Sequence, residues 1–246
     1  MRLLLLGTNG YHPNDARQTA CLLLPECGVM LDAGTAVYRA AEYLTGPELD
    51  IFLSHVHLDH VIGLTFLFSV EDAHPLRRVT IHASADQLAA LKTHLFAAPL
   101  FPVAPPCEFR TLAAETPLAQ GGRLTHFPLK HRGGSVGYRL DWPGHSMAYV
   151  TDTTASPDAD YADALRGVDL LVHECYCNDA QSERAAKLGH SHTTAVAQLA
   201  RRAGVGRLVL VHFDPTASAD DPVGLAAARA VFPNTILGED RMELRF

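Results

Sequence analysis

Three observations predict an α/β fold. Short, continuous apolar runs that read as buried strands alternate with helix-like segments along the whole chain. Hydrophobic residues make up 48% and charged residues 19%, the balance of an ordinary soluble globular protein. No Pro/Ser-rich linker, charge block or low-complexity tract interrupts the 246 residues, which suffice for one large core. Residues 1–246 are therefore expected to form a single domain.

The elements follow in order. Strands are expected near residues 3–6, 20–24 and 29–32, each an apolar stretch bounded by Gly, Pro or Asp. A buried strand follows in Leu49-Asp50-Ile51-Phe52-Leu53-Ser54, and others near 79–82, 135–140, 146–151, 170–173 and 208–212. Helices are expected over 36–43, 61–68, 86–95 and 194–203, and over 223–231 with Pro222 in its first turn. Asp141-Trp142-Pro143-Gly144-His145 reads as a hairpin turn between two strands. Pro99, Pro102, Pro105 and Pro106 read as an extended crossover between the halves of one fold.

Charge and composition exclude some functions. The net charge is −7 and no basic stripe is present, which argues against tight non-specific nucleic-acid binding. A small phosphate substrate stays open. The apolar run after Met1 is too short for a signal-peptide core, and no stretch is long enough to span a membrane. Five cysteines, Cys21, Cys27, Cys107, Cys175 and Cys177, make an odd count and read as reduced thiols in a cytoplasmic protein. Cys175 and Cys177 read as packing thiols rather than a soft-metal pair.

The chemistry is concentrated in His55-Val56-His57-Leu58-Asp59-His60, directly behind the buried strand run. Three imidazoles and a carboxylate at a strand's end can turn toward two neighbouring points. Neutral imidazole and carboxylate are ligands for zinc and similar divalent ions. Further candidates follow later strand-like runs: His131, Asp152 and His212.

This pattern resembles the metal-binding signature of the metallo-β-lactamase superfamily. The resemblance implies a four-layer αβ/βα sandwich, with two mixed sheets flanked by helices and metals at one edge. It implies that His55, His57 and His131 hold one metal, that Asp59, His60 and His212 hold the other, and that Asp152 bridges them. It also places the Asp32-Ala33-Gly34 turn just beneath the metals, making Asp32 a support rather than a ligand. Two divalent ions are expected as cofactors. Zinc is the first choice, and manganese or iron would suit the same nitrogen and oxygen donors. No cysteine falls at a ligand position, unlike lactam-cleaving members that carry a Cys ligand, so penicillins are not the expected substrate.

Within the superfamily the chain resembles the ribonuclease Z branch and its small phosphodiesterase relatives. The likeness rests on L-L-L-L-G-T-N-G at residues 3–10, D-L-L-V-H-E-C at 169–175 and Gly189-His190-Ser191 before a helix. It implies that His190 acts on the leaving group or the developing charge without ligating metal. Glu174 either orients His190 or is solvated or structural, and His192 either caps a helix or contributes to the site. Asp59, His190 and Glu174 form the expected catalytic set. His12 sits in a loop that the resemblance places near the site mouth, and the other histidines are read as structural. By the same resemblance, residues 61–68, apolar on nearly every face, either pair two copies into a homodimer or lie buried in the monomer.

Two departures from ribonuclease Z bear on substrate. The interval from His131 to Asp152 leaves no room for that family's tRNA-gripping arm, and its Pro/Lys/Arg/Asn loop is only loosely echoed in residues 14–18. The expected activity is therefore a dinuclear metal-dependent phosphodiesterase acting on a small or cyclic phosphodiester. The alternatives are a ribonuclease Z-like endoribonuclease acting at RNA 3′ ends, a lactone or thioester hydrolase, and a sensor with an inactive site.

Overall fold

A computed structural model describes residues 1–217 and 220–246. Two seven-stranded sheets pack face to face, with helices outside each, giving the four-layer α/β sandwich expected. The first sheet holds β1 (Arg2–Gly7), β2 (Cys21–Leu24), β3 (Val29–Leu31), β4 (Glu48–Phe52), β5 (Arg78–Ala83) and β6 (Glu108–Thr111). The second holds β7 (Glu115–Leu118), β8 (Gly122–Leu129), β9 (Ser135–Trp142), β10 (His145–Val150), β11 (Leu170–Glu174), β12 (Arg207–Val211) and β13 (Thr235–Leu237). The last strand, β14 (Met242–Arg245), returns to the first sheet and pairs antiparallel with β1.

The strand order is β14-β1-β2-β3-β4-β5-β6 in one sheet and β13-β12-β11-β10-β9-β8-β7 in the other. Each sheet is antiparallel through its first four strands, ending at β3 and β10 respectively, and parallel through the rest. Both faces of each sheet are covered, so the central strands are buried along most of their length and largely apolar. In β1, Leu3 and Leu5 face the core between the sheets while Leu4 and Leu6 face the outer helices. In β11, Leu170 and Val172 face inward and Leu171 outward.

The helices are α1 (Leu58–Val61), α2 (Leu67–Ala73), α3 (Ala85–Ala90), α4 (Ser182–Leu188), α5 (Thr193–Ala203) and α6 (Leu225–Val231). Several differ from expectation. Residues 61–68 are not one helix: α1 passes into a 3₁₀ segment, Ile62–Phe66, before α2. Gly63 lies against the Asp32–Gly34 turn, donating to the Ala33 carbonyl at 2.9 Å, and a Cβ there would come within 2.0 Å of the Gly34 oxygen. This contact tightens the segment. Its inner side, Val61, Leu64 and Leu67, enters the outer core of the first sheet. The helix over 86–95 ends as α at Ala90 and finishes in a π turn. Residue 36–43 form a 3₁₀ helix, Thr35–Glu42.

Pro222 lies ahead of α6 rather than in its first turn. The Asp221 carboxylate accepts from the Gly224 and Leu225 amides at 2.8 and 3.0 Å and starts the helix at Leu225. The Pro99–Pro106 stretch is also corrected. It leads from the π turn back to β6 within the first half, and residues 112–114 make the crossing to the second sheet.

Candidate metal centre

The candidate ligands converge because they follow the C-terminal ends of strands from both sheets. His55, His57, Asp59 and His60 follow β4, His131 follows β8, Asp152 follows β10 and His212 follows β12. In mixed α/β sheets the carboxyl ends of the parallel strands are where ligands are bound. Among the described residues six non-glycines have positive φ, and four of them are here: Tyr11 (59°), Asp32 (58°), Asp152 (48°) and His212 (58°). Such backbone is costly for side-chain-bearing residues and clusters at functional sites.

The donor atoms fall into two sets that share Asp152. Its Oδ2 lies 3.5 Å from His55 Nε2 and 3.3 Å from His131 Nε2, which is 3.3 Å from His57 Nδ1. Its Oδ1 lies 3.2 Å from His60 Nε2 and 3.1 Å from His212 Nε2. Those two nitrogens are 3.1 Å apart, and each is 3.4 Å from Asp59 Oδ2. Zinc with tetrahedral bonds of about 2.0–2.1 Å has ligand–ligand edges of about 3.3–3.4 Å. The separations given above, 3.1–3.5 Å, lie close to that spacing. His55 Nε2 is buried and has no hydrogen-bond partner among the described residues, as expected of a donor reserved for an ion. The residues form a dinuclear metal-binding cluster.

Surrounding groups fix the donors. Asp32, fully buried, takes the far nitrogen of His60 at 2.8 Å. It also accepts from the Ser54 amide and hydroxyl at 2.7 and 2.8 Å and from the Tyr149 hydroxyl at 2.9 Å. Ser54 Oγ sits 3.0 Å from His55 Nδ1. The Tyr11 amide donates to Asp59 at 2.8 Å. His212 donates its amide to the Thr8 carbonyl at 2.7 Å, and its ring lies so close to Gly10 that a Cβ would meet it at 2.5 Å. Asp240 in turn holds Thr8 through its amide (3.0 Å) and hydroxyl (2.8 Å). Tyr11, Gly10, Tyr149 and Asp240 were not singled out as site residues from sequence. A glycine directly behind the first strand's Gly-Thr turn was the one available signal.

Charge is strongly coupled in the cluster. Burial opposes a proton on His60, but the charges of Asp59, Asp152 and Asp32 outweigh it and raise the imidazole pKa well above its ordinary value. Burial disfavours both ionised carboxyls, yet His60 and His212 hold Asp59 and Asp152 well below the usual range. His131 is pushed down to about 4, by burial first and then by neighbouring His55 and His190. Metal ligation requires neutral imidazole, so an ion would replace the His60 proton as the partner of these carboxylates.

His190, in the loop between α4 and α5, brings a ring nitrogen near Asp152 and His212 and forms a third donor group with them. Its Nδ1 lies 3.1 Å from Glu174 Oε1. Glu174 is fully buried, not solvated, and also accepts from the Thr153 and Ser191 amides at 2.7 and 3.2 Å. Burial opposes protonation of His190, but the Glu174 charge and hydrogen bond prevail and lift its pKa to about 9. Tyr176 stacks on the imidazole at 4.5 Å. His192 is instead tied to Asp179 at 2.7 Å and its side chain does not cap α5; Asp179 itself accepts from the Thr194 amide at 2.8 Å. His12 lines the cleft beyond His190.

Comparison with known proteins agrees with this geometry. Residues 29–213 match the family described as the beta-lactamase superfamily domain. Ribonuclease Z of Synechococcus sp. (strain CC9605) is 41% identical over 106 residues, covering 42% of this chain and 33% of that protein. The match therefore spans about a third of that relative's length. Ribonuclease Z of Haloarcula marismortui is 27% identical over 100% of this chain and 96% of its own. The metallo-beta-lactamase fold protein YhfI from Bacillus subtilis superposes with a TM-score of 0.79 at 20% identity, covering 99% and 98% of the two chains. The two donor sets and these matches describe a metal-dependent hydrolase with a dinuclear site, and the chain belongs to the beta-lactamase superfamily.

Proposed function

We propose that this chain is a phosphodiesterase of the ribonuclease Z type. The observation that supports it most is Asp152, with one carboxylate oxygen turned to each donor set. In this reading His55, His57 and His131 hold one ion, Asp59, His60 and His212 the other, and zinc is the native metal. Two bound divalent ions supply positive charge for a phosphate and bring the pKa of a water near neutrality. The chain's own groups do the rest. Asp59, pinned by the Tyr11 amide, orients the attacking side. His190, steadied by Glu174 and Tyr176, gives a proton to the leaving oxygen.

On substrate, the comparisons favour the RNA 3′-end reading over the small diester expected from sequence, because the curated relatives matched are ribonuclease Z. One observation keeps the small diester in play. Between His131 and Asp152 the chain forms only β9, a tight turn pairing Trp142 with His145, and β10, so no arm projects there. The test compares kcat/KM of zinc-loaded protein for a precursor tRNA with a 3′ trailer and for a chromogenic diester. We expect both to be cleaved, with single-site cleavage of the RNA. Turnover of the small diester alone removes the RNA reading, and turnover of only lactones or thioesters removes both. No turnover of any of these supports a sensor.

The same reading takes residues 1–246 as one cytoplasmic domain that pairs as a homodimer. Half-buried Ile62 and Phe66 and exposed Phe68 form the outward side of the tightened segment. A monomeric mass at micromolar concentration overturns the pairing.

A further inference from the structure

Residues 8–18, which run between β1 and β2, hydrogen-bond to one donor set. The Thr8 carbonyl accepts from the amides of His212 and Phe213 at 2.7 and 3.3 Å. The Gly10 amide donates to the Phe213 carbonyl at 3.0 Å, and only a glycine at this position leaves room for the His212 ring. A left-handed turn at Tyr11, φ 59°, then brings its amide to Asp59 Oδ2 at 2.8 Å. The loop thus reaches two of the three residues in the set of Asp59, His60 and His212. Among the described residues it makes no hydrogen bond to His55, His57 or His131.

One carboxylate closes this loop from outside it. Asp240, its side chain 8% exposed, sits in the turn between β13 and β14. Its Oδ1 accepts from the Thr8 amide and hydroxyl at 3.0 and 2.8 Å, at the start of the loop. Its Oδ2 accepts from the Gln18 amide at 2.7 Å, at the loop's end, and pairs with Arg39 at 2.6 Å. Arg17 braces the same residues. Its guanidinium donates to the Thr8 hydroxyl at 2.8 Å and the Gly238 carbonyl at 2.6 Å, and lies 4.8 Å from the Phe213 ring. Hydrogen bonds to an ionised carboxylate are shorter and stronger than neutral ones, so the two ends of the loop are held firmly.

We infer that Asp240 is a positioning residue for one of the two ions. By stapling Thr8 to Gln18 it holds the loop against His212 and Asp59. It thereby sets the affinity of the set of Asp59, His60 and His212 and leaves that of His55, His57 and His131 alone. The inference rests on the proposed assignment of the donors to two ions. Groups that orient ligands from outside the coordination shell contribute about 10–100-fold in metal affinity. Asp240 acts through a further residue, which puts its effect at the lower end, about tenfold.

The test is zinc binding, read without turnover. Chelator competition gives the affinity of each equivalent, and proton–nitrogen correlation spectra of the histidine rings show which are bound. Asp240→Asn keeps an oxygen for Thr8 but turns an amide group toward Gln18 and Arg39. It should weaken one equivalent about tenfold and leave the other unchanged. At one equivalent of zinc its His55, His57 and His131 rings should be bound and its His60 and His212 rings free. Breaking a buried ion pair is strongly destabilising, so a second variant carries the test if this one does not fold. Thr8→Val cuts the staple at one end, leaves Asp240 paired with Arg39, and should give the same asymmetry. Leu244→Ala is the control. It loosens the pairing of β14 with β1 without removing a donor, so it should lower Tm and keep both affinities. Equal losses at both equivalents, no loss in either variant, or the same loss in Leu244→Ala overturns the role of Asp240 alone. Wild type that binds fewer than two equivalents removes the two-ion assignment and the inference with it.

Discussion

Asp32 and Asp152 occupy matching places in the two sheets. Each follows the last antiparallel strand, β3 or β10, where the sheet turns parallel, and each is a buried aspartate with left-handed backbone. Their surroundings differ. Asp32 is saturated by protein: an amide, two hydroxyls and the far nitrogen of His60. Asp152 has one protein hydroxyl, Thr151 at 2.7 Å, and otherwise faces the near nitrogens of His55, His60, His131 and His212. One backbone device thus yields a carboxylate enclosed by protein donors and another that faces a ring of imidazoles. What distinguishes them is the count of donors already satisfied by the chain. Glu174, at the end of β11, stands between these cases, with two amides and one imidazole.

The comparison can be broken most sharply at the open carboxylate. Asp152→Ala should reduce bound zinc from two equivalents and abolish diester hydrolysis, since both donor sets lose a shared member. Metal analysis of the purified variant checks this, and two retained equivalents would remove the bridging role. The intermediate case comes next. His190→Ala should keep both metals and lose about 10²–10⁴ in rate, the usual contribution of a positioned acid or base. Loss of metal along with activity, or unchanged activity, would sink that role. The saturated carboxylate should give the smallest effect on the centre. Asp32→Ala should retain the donors but weaken metal affinity about 10–100-fold, because His60 loses the partner that orients it. Competition with a chelator measures this, and wild-type affinity would show that Ser54 and Tyr149, not His60, are what Asp32 serves.

Much of this was legible in the sequence, and the reasons differ by element. The central strands were found because burial on both faces makes them continuous apolar runs. The edges were not. β6 reads Glu-Phe-Arg-Thr and β14 Met-Glu-Leu-Arg, mostly exposed or half-buried, so neither has an apolar signature. Helix α4 was missed, its buried contribution in the packing being chiefly Ala185. The break at Gly63 depends on the approach of the Asp32–Gly34 turn, a tertiary contact with no local signal. In the site, the H-x-H-x-D-H spacing marked residues that the fold brings together with His131, Asp152 and His212. The choice between a solvated and a buried Glu174 needed the loop after α4 to be placed against β11.

The return of β14 to β1 sets an order of events in time. Leu3 pairs with Leu244, and Thr8, whose carbonyl anchors His212, is itself anchored by Asp240. These contacts join residues more than two hundred positions apart, the kind of non-local pairing that slows folding. During synthesis the first strand must wait with one edge unpaired, a template for wrong partners, until the closing strand emerges. The ion-binding set that depends on His212 therefore belongs among the last parts of the molecule to become competent. Zinc supplied to a nascent chain would find the H-x-H-x-D-H loop well before it found a finished cage.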